Sequence, residues 1–269
     1  MENRVLGRTR ERIPVIGMGT WAMGNNTGEK NQEEVEALEK GIELGMRFID
    51  TAEAYGGGRS ETLVGRAIRD VRDQVFLATK VSPEHFGYDD VMRSCEASIE
   101  RLGVKYIDLY QLHWPNPRVP IQETLRAMDD LVSQGKVRYI GVSNFSVEQT
   151  AEAQESLPRS EIVSNQVRYS PSSREIESEL LPFCEKEKIT VIAYSPLDKG
   201  DIPTGRLPNE LLKKYDMTAA QIVLNWVTYR ERVMAIPKAS SIEHIKENAE
   251  SVDVRLTQTD YQALSRAFE

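Results

Sequence analysis

Four polar side chains follow short apolar runs in the first half of the sequence, and their chemistries are complementary. Asp50 closes the run RFID, Tyr55 lies in the segment after it, Lys80 closes LATK and His113 closes LYQLH. A phenol has a pKa near ~10, but a nearby ammonium lowers that pKa and a carboxylate can hold the ammonium in place. An imidazole can direct a substrate oxygen toward the phenol by a hydrogen bond. Together these groups predict a proton donor to a carbonyl oxygen that needs neither a metal nor a nucleophile.

The elements that must position these residues alternate along the chain. Short apolar runs are mostly continuous, as is typical of strands buried on both faces. They are Val15–Met18, Met46–Ile49, Val75–Ala78, Ile107–Leu112, Tyr139–Val142, Ile162–Val163, Val191–Tyr194 and Val233–Ile236. Amphipathic stretches of helical period follow them: Gln32–Leu44, Ser60–Ile68, Asp89–Leu102, Ile121–Gln134, Val147–Glu155, Glu177–Lys188, Thr218–Tyr229 and Ser241–Ser251. This alternation predicts an α/β fold, the (β/α)8 TIM barrel, in which the carboxyl ends of the strands meet at one rim.

Four segments lie outside this alternation. Arg4–Leu6 and Arg12–Val15 predict an N-terminal β-hairpin that closes the barrel's N-terminal end, and two extra helical segments are predicted near Leu207–Tyr215 and at Thr259–Phe268. No linker or low-complexity tract divides the chain, so we expect a single barrel domain over residues 1–269. The alternative is a doubly wound sheet, which would need a G-x-G-x-x-G turn after the first strand. The segment GMGTW does not fit that spacing.

Polar residues and glycines mark some of the helix boundaries. Ser60 and Thr218 have hydroxyls suited to cap the helices that begin beside them. Gly103 and Gly135 follow predicted helix ends, where a left-handed residue is favoured. Trp226 lies in an amphipathic stretch and is expected in the core.

Composition excludes several classes of protein. The chain has 34 Lys+Arg against 42 Asp+Glu, a net charge of −8, so nucleic acid and anionic membranes are unfavourable partners. No apolar stretch approaches ~18 residues, and the N-terminus MENRVLGRTRER is too polar for a signal peptide, which favours the cytoplasm. Cys95 and Cys184 are expected to be reduced and buried. His85, His113 and His244 lack metal-ligand spacing, so no metal is expected.

The run DTAEAYGGGRSETLVG resembles the signature of the aldo-keto reductase family. The resemblance continues in order through ATK, DLYQLHWP, GVSNF, NQ, AYSPL and IPKASSIEHIKEN, and is closest to short-loop, prokaryotic-type members. It implies a (β/α)8 enzyme that reduces an aldehyde or ketone with NAD(P)H. In the family the nicotinamide gives the hydride and the residue at Tyr55 gives the proton. Lys80 and Asp50 tune that tyrosine, and His113 orients the substrate. A histidine there favours carbonyl reduction over reduction of a C=C bond.

The resemblance also implies a cofactor site along the rim. In the family, Ser143, Asn144 and Gln166 match residues that bind the nicotinamide carboxamide, and Tyr194 matches the aromatic that stacks on the nicotinamide ring. The other matching positions are Gly19 and Thr20 in the first turn, Ser195 and Leu197 over the pyrophosphate, and Lys238, Ser240, His244, Glu247 and Asn248 at the adenosine end.

The residues expected at the adenosine end give mixed indications of the coenzyme preference. NADPH-selective members usually have arginine where this chain has His244, and Ala239 replaces a serine common in relatives. Arginine would hold a 2′-phosphate as a permanent bidentate cation, whereas histidine is largely neutral at pH 7. Lys238 and Ser240 remain, so we expect NADPH, with NADH as the alternative.

The substrate pocket is the least specified part. Trp21 and Trp114 are expected to supply apolar walls for a small-molecule carbonyl substrate, with Phe86 as a further candidate. Pro115–Pro120 and the loop over residues 198–208 are short, and the sequence stops just after its last predicted helix. These features predict an open cleft and a cofactor that exchanges readily. Short-loop members are mostly monomers, so we expect a monomer here.

Two other functions fit the same fold. One is a regulatory subunit that binds the cofactor with little or no turnover. The other is an isomerase or aldolase that uses Lys80 as a Schiff base, which the neighbouring Asp50 disfavours because an ion pair keeps the lysine charged.

Overall fold

Parallel strands closed into a barrel organise the computed structural model, which describes residues 1–25, 28–202 and 204–269. Within these residues eight parallel strands form one sheet in chain order, after a separate two-stranded hairpin. The hairpin consists of β1 Asn3–Val5 and β2 Arg12–Pro14, and the barrel of β3 Met18–Gly19, β4 Phe48–Asp50, β5 Phe76–Val81, β6 Ile107–Leu112, β7 Val137–Ser143, β8 Ile162–Arg168, β9 Thr190–Tyr194 and β10 Val233–Ile236. The predicted (β/α)8 barrel and hairpin are confirmed.

The helices lie outside the sheet and connect successive strands. They are α1 Glu29–Glu43, α2 Arg59–Ile68, α3 Tyr88–Leu102, α4 Ile121–Ser133, α5 Val147–Glu155, α6 Leu180–Glu187, α7 Asn209–Tyr215, α8 Ala219–Val227, α9 Ile242–Glu250 and α10 Gln258–Ala267. Helices α7 and α10 are the two extra segments that the sequence predicted. Right-handed strand–helix–strand connections of this kind place all strand carboxyl ends at one rim.

The barrel closes between its first and last strands. Ile16 forms an isolated bridge with Ala235, and the Gly19 N–H donates to the Pro237 carbonyl at 3.1 Å. The first predicted strand, Val15–Met18, is therefore shifted, because the Val15 N–H donates to Glu2 beside the hairpin and regular pairing with β4 begins only at Met18.

The hairpin covers the N-terminal end of the barrel. Leu6 and Ile13 are almost completely buried and pack against strand residues that point into the barrel, among them Phe48 and Phe76. The two phenylalanine rings stack with centroids 5.4 Å apart. The hairpin thus seals the end opposite the rim with apolar side chains.

Most of the predicted helix boundaries are confirmed. Thr218 forms a capping box with Gln221 at the start of α8, and Gly103 ends α3 in the left-handed region with φ 65°. The prediction for Ser60 is wrong. Gly58 occupies the N-cap of α2, and the Ser60 hydroxyl instead donates to the Thr20 side chain at 2.8 Å. Ser60 therefore bonds to a buried side chain from another part of the chain and does not cap α2.

The second core layer lies between the sheet and the helices. Trp226 is fully buried there, as the sequence predicted, and its indole N–H donates to the Ser265 hydroxyl at 2.9 Å. Cys95 and Cys184 are free and buried in the same layer, and burial raises the pKa of each thiol to about 12. The prediction of reduced, buried cysteines is confirmed.

Candidate active site

The carboxyl ends of the strands surround a cavity of about 1020 Å³. Of the residues that the sequence predicted for catalysis, cofactor and substrate, nearly all line it: Gly19, Thr20, Trp21, Asp50, Tyr55, His113, Trp114, Ser143, Asn144, Gln166, Tyr194, Ser195, Leu197, Lys238, His244, Glu247 and Asn248. Lys80 lies behind Tyr55 and is fully buried, and Ser240 lies beside Lys238. The barrel therefore brings together residues scattered over most of the chain.

Asp50 and Lys80 form a buried ion pair at the ends of β4 and β5. Lys80 Nζ lies 2.5 Å from Asp50 Oδ2, and both side chains are at most 2% exposed. Lys80 also donates to the Thr51 carbonyl at 2.9 Å. Burial opposes the charge on Lys80, but Asp50 and Tyr55 outweigh that effect and raise the lysine pKa. Lys80 is consequently a charged donor.

The third acceptor of Lys80 is the phenol of Tyr55, 3.2 Å from Nζ. Since the ammonium has no lone pair, it must donate to the phenol oxygen, and the Tyr55 O–H is left free to donate elsewhere. Burial and the Asp50 charge raise the Tyr55 pKa, and together they outweigh Lys80, which lowers it in the direction that the sequence predicted. The expectation of a net lowered phenol pKa is wrong in this structure.

A turn of three glycines carries Tyr55 to the cavity. Gly56, Gly57 and Gly58 have φ of 60°, 63° and 86°, a left-handed run that side chains with a Cβ rarely adopt. A Cβ on Gly58 would also lie 2.5 Å from the Arg101 side chain. Arg101 in turn pairs with the fully buried Glu61 at 2.6 Å. The three left-handed glycines and Glu61 therefore fix the backbone beside Tyr55.

His113 faces Tyr55 across the cavity. The two rings meet edge to face with centroids 5.6 Å apart. Burial, aided by the nearby Lys80 charge, lowers the His113 pKa to about 3. The imidazole is therefore neutral at pH 7 and can donate one N–H to a substrate oxygen.

The adjoining rim is a connected set of amides and hydroxyls. Ser143 Oγ donates to the Gln166 carbonyl at 2.8 Å, and Tyr194 OH donates to Asn144 Oδ1 at 3.0 Å. Asn144 has φ 62° and its Nδ2 donates to the His113 carbonyl at 3.1 Å. Hydrogen bonds thus connect these rim residues to the strand end that carries His113. The Tyr194 ring in the same set is half-buried.

The opposite end of the cavity carries a lysine, a histidine and a helix N-terminus. Lys238 is exposed, and its ammonium donates to Ser240 Oγ at 3.1 Å without a carboxylate partner in the described part of the chain. His244 Nδ1 lies 3.2 Å from Glu247, whose other oxygen accepts from Thr218 at 2.6 Å. The N-terminus of α8 also lines this end, and its free backbone N–H groups favour anions.

The sequence and the fold are similar to those of known proteins. The Aldo/keto reductase family model matches residues 15–269. The chain is 41% identical over 265 residues to the methylglyoxal reductase YeaE of Escherichia coli (strain K12), covering 95% of this chain and 91% of that protein. The structure of the thermostable aldo-keto reductase Tm1743 with the inhibitor epalrestat has a TM-score of 0.95 at 42% identity, over 99% of this chain and 100% of that chain. An aldo/keto reductase from Klebsiella pneumoniae in complex with NADP and acetate has a TM-score of 0.90 at 40% identity, over 99% and 95%.

The chain belongs to the aldo/keto reductase family. It is an oxidoreductase that reduces a small-molecule carbonyl with NAD(P)H. In the described residues, no helix is both long and apolar enough to cross a membrane, and no group of three or more His, Cys, Asp or Glu side chains could hold a metal ion.

Two exposed tryptophans border the mouth of the cavity in this aldo/keto reductase. Trp21 and Trp114 are 55% and 49% exposed at the mouth of the cavity, and Lys199 lies over the Trp21 ring at 4.7 Å from its centroid. Phe86 was expected as a third wall, but it is 1% exposed and packs in the core outside the cavity. Its position after β5 did not reveal that the ring points away from the rim.

Gln111 is a polar residue of this aldo/keto reductase site that sequence reasoning missed. Gln111 is fully buried in β6 and donates to Asp50 Oδ1 at 3.1 Å. The signal was present, because a glutamine inside the apolar run LYQL needs a hydrogen-bond partner when buried.

The buried His113 predicts an acid-sensitive stability. Between pH ~6.5 and ~3 the unfolded histidine binds a proton that the folded one does not, so stability falls as pH drops through this window. The free energy of unfolding of the parent should be lower at about pH 4.5 than at about pH 7, and about 2–3 kcal/mol of that decrease should be absent in His113→Asn. Urea unfolding at both pH values measures this. The same substitution at the exposed His244 is the control, and an unchanged pH dependence in His113→Asn would contradict the assignment.

Proposed function

We propose that this protein reduces small, reactive aldehydes of the 2-oxoaldehyde class with NADPH, and that Tyr55 donates the proton. The observation that carries the proposal is the orientation of hydrogen bonds at Tyr55. Its oxygen accepts from the buried Lys80, so its own O–H is available to the cavity, where the neutral His113 offers a second donor. Two donors converging on one point of an apolar-walled cavity suit a carbonyl oxygen.

The rim residues fit a nicotinamide dinucleotide. Gln166 Oε1 receives no hydrogen bond within the described part of the chain, and together with Asn144 it offers polar groups suited to a carboxamide. The cavity then runs to Lys238 and the N-terminus of α8, which suit phosphates. When bound, the nicotinamide supplies a hydride to the carbonyl carbon.

The residues of the chain handle the proton. His113 and Tyr55 hold the carbonyl oxygen by hydrogen bonds, and the Tyr55 O–H passes its proton to that oxygen as negative charge develops. Lys80 stabilises the phenolate that remains, because its ammonium already contacts the phenol oxygen. Asp50 keeps Lys80 charged and in place. Trp21 and Trp114 exclude water from one side of the reacting group.

NADPH is preferred in this proposal because of Lys238. Its ammonium lies at the end of the cavity opposite Tyr55, is exposed, and makes its one hydrogen bond in the described part of the chain to a hydroxyl. A Klebsiella pneumoniae structure similar to this chain was solved with NADP bound. Because the protein carries a net charge of −8, a local cation of this kind is needed to hold a 2′-phosphate.

Lys238→Met tests this preference. We expect it to weaken NADPH binding about fivefold and to change NADH binding by less than about twofold, as for an exposed ion pair. Fluorescence titration of each coenzyme at low and high salt measures the effect, and salt should weaken NADPH binding more than NADH binding. Lys246→Met on α9, an exposed lysine outside the cavity, is the control. Equal losses for both coenzymes would remove Lys238 from the phosphate site.

The substrate class is supported by similarity and by the shape of the mouth. The chain is 41% identical to a protein named methylglyoxal reductase, and its mouth is bordered by two exposed tryptophans. The test is consumption of NADPH with methylglyoxal, compared with an unactivated ketone such as acetone. We expect rapid turnover of methylglyoxal and little of acetone. Coenzyme binding without reduction of any aldehyde would overturn the proposal in favour of a regulatory subunit.

We also propose that the chain acts as a single-domain monomer in the cytoplasm. One continuous layer of buried residues runs from Val15 to Phe268, which supports a single folding unit. The free, buried cysteines agree with a reducing compartment. Sedimentation of the purified protein tests the monomer.

A further inference from the structure

Gln111 links two functional parts of the site. It is fully buried in β6, where it pairs with Lys80 of β5 on one side and Gly141 of β7 on the other. Its Nε2 donates to Asp50 Oδ1 at 3.1 Å, and its Oε1 accepts from Gln166 Nε2 at 3.4 Å. Gln166 Nε2 also donates to Asp50 Oδ1 at 2.8 Å.

The direction of both amides is fixed by Asp50. A carboxylate oxygen only accepts hydrogen bonds, so both Gln111 and Gln166 must turn their nitrogens toward Oδ1. Since Oδ2 of the same carboxylate is held by Lys80, each oxygen of Asp50 has its own donors. The two hydrogens of Gln166 Nε2 are then used on Asp50 and on Gln111, and Gln166 Oε1 is turned toward the cavity as an acceptor.

We propose that Gln111 is a positioning residue that restrains both Asp50 and Gln166 by bonding to each of them. Through Asp50 it holds Lys80 against Tyr55, and through Gln166 it presents one acceptor to the carboxamide of the nicotinamide. It touches neither the substrate nor the reacting atoms. The inference rests on the proposed function, since it assigns Gln111 to the proton path and the coenzyme contact proposed above.

Removal of this amide has a directional consequence. In Gln111→Met the side chain keeps its length and volume but loses both hydrogen bonds. Asp50 Oδ1 then keeps one donor instead of two, and the second hydrogen of Gln166 Nε2 loses its acceptor. Gln166 keeps its hydrogen bond to Asp50 but loses its second partner, so its amide is held less firmly with the oxygen toward the cavity. We therefore expect slower turnover and weaker coenzyme binding, while contacts with the carbonyl substrate remain.

The test is steady-state reduction of methylglyoxal by Gln111→Met, with NADPH affinity measured separately by fluorescence titration. We expect kcat to fall about 10-fold and the coenzyme Kd to rise about threefold, while the carbonyl KM changes by less than about twofold. The isotope effect on kcat with deuterated NADPH should increase, because hydride transfer becomes more rate-limiting. Gln154→Met is the matched control, since it removes the hydrogen bond that Gln154 Oε1 accepts from the Ile162 N–H at the far end of β8.

A second variant carries the test if the first does not fold. Gln111→Glu has the same shape but can donate to Asp50 only when it is protonated. Its kcat should rise as pH is lowered from about 8 to about 5.5, while that of the parent protein stays flat. Turnover and Kd equal to the parent in folded Gln111→Met, or a flat pH profile at the parent rate in folded Gln111→Glu, would overturn the role of Gln111 alone, provided that Tyr55→Phe is inactive. Full turnover in Tyr55→Phe would overturn the proposed function instead.

Discussion

Tyr55→Phe is expected to lose carbonyl reduction by at least about 10³-fold while binding NADPH within about twofold of the parent. The substitution removes the phenol O–H, which is the proposed proton donor and whose oxygen accepts a hydrogen bond from Lys80. General acid catalysis contributes ~10²–10⁴-fold to the rate. The ring itself remains and keeps its edge-to-face contact with His113. Lys80 retains Asp50 and the Thr51 carbonyl as acceptors, so the ion pair survives. The measurements are kcat with methylglyoxal and fluorescence titration with NADPH.

A matched hydroxyl deletion is available in β6, two strands along the sheet from β4. Tyr110 is fully buried in β6, and its hydroxyl has no hydrogen-bond partner in the described part of the chain. Tyr110→Phe should therefore turn over at the parent rate. Comparable losses in Tyr55→Phe and Tyr110→Phe would show that buried phenols matter only for packing, and the proton-donor role of Tyr55 would be lost.

Asp50→Asn is expected to cost about 3–5 kcal/mol of unfolding free energy and about 10²–10³-fold in kcat. The stability cost arises because Lys80 is left fully buried without a counter-charge. The kinetic cost arises because a lysine that loses its proton no longer stabilises the phenolate of Tyr55. Urea unfolding and kcat with methylglyoxal measure the two effects separately.

A double variant distinguishes the structural role of the ion pair from its chemical role. In Asp50→Asn with Lys80→Met, no buried charge remains, and the asparagine oxygen can still accept from Gln166. We expect most of the lost stability to return and the lost turnover not to. Asp129→Asn is a control, because the Asp129 partner Arg159 is 56% exposed and water can replace the missing acceptor. Recovery of turnover in the double variant would contradict the role of Lys80.

The barrel and the position of its rim were predictable from local patterns. The apolar runs predicted the strands because strands buried on both faces are continuously apolar. Besides the shifted first strand, the largest difference is β8, predicted as Ile162–Val163 and observed as Ile162–Arg168. Its buried residues include Asn165 and Gln166, polar side chains that interrupt the apolar run. A pattern that equates burial with apolarity ends such a strand too early.

The same limitation explains why Gln111 was missed. Its partner Asp50 is 61 positions away, so no local pattern could show that this glutamine faces a carboxylate. The resemblance to the family assigns a role to the histidine of DLYQLHWP but none to its glutamine. Similarly, the turn after β5 places His85 and Phe86 next to each other in sequence, yet the first is half exposed against Glu53 and the second is in the core.

The sequence by itself determined the barrel, the side of it on which chemistry takes place, and the types of side chain found there. It did so because strand and helix periods are local and because strand ends in this fold share one rim. The tertiary structure alone decided the net direction of the pKa shifts. Whether Lys80 lowers the Tyr55 pKa more than burial and Asp50 raise it depends on distances and solvent exclusion among residues on different strands. These quantities exist only once the barrel has closed, and they keep His113 neutral well below its usual pKa and Tyr55 protonated beside an ammonium.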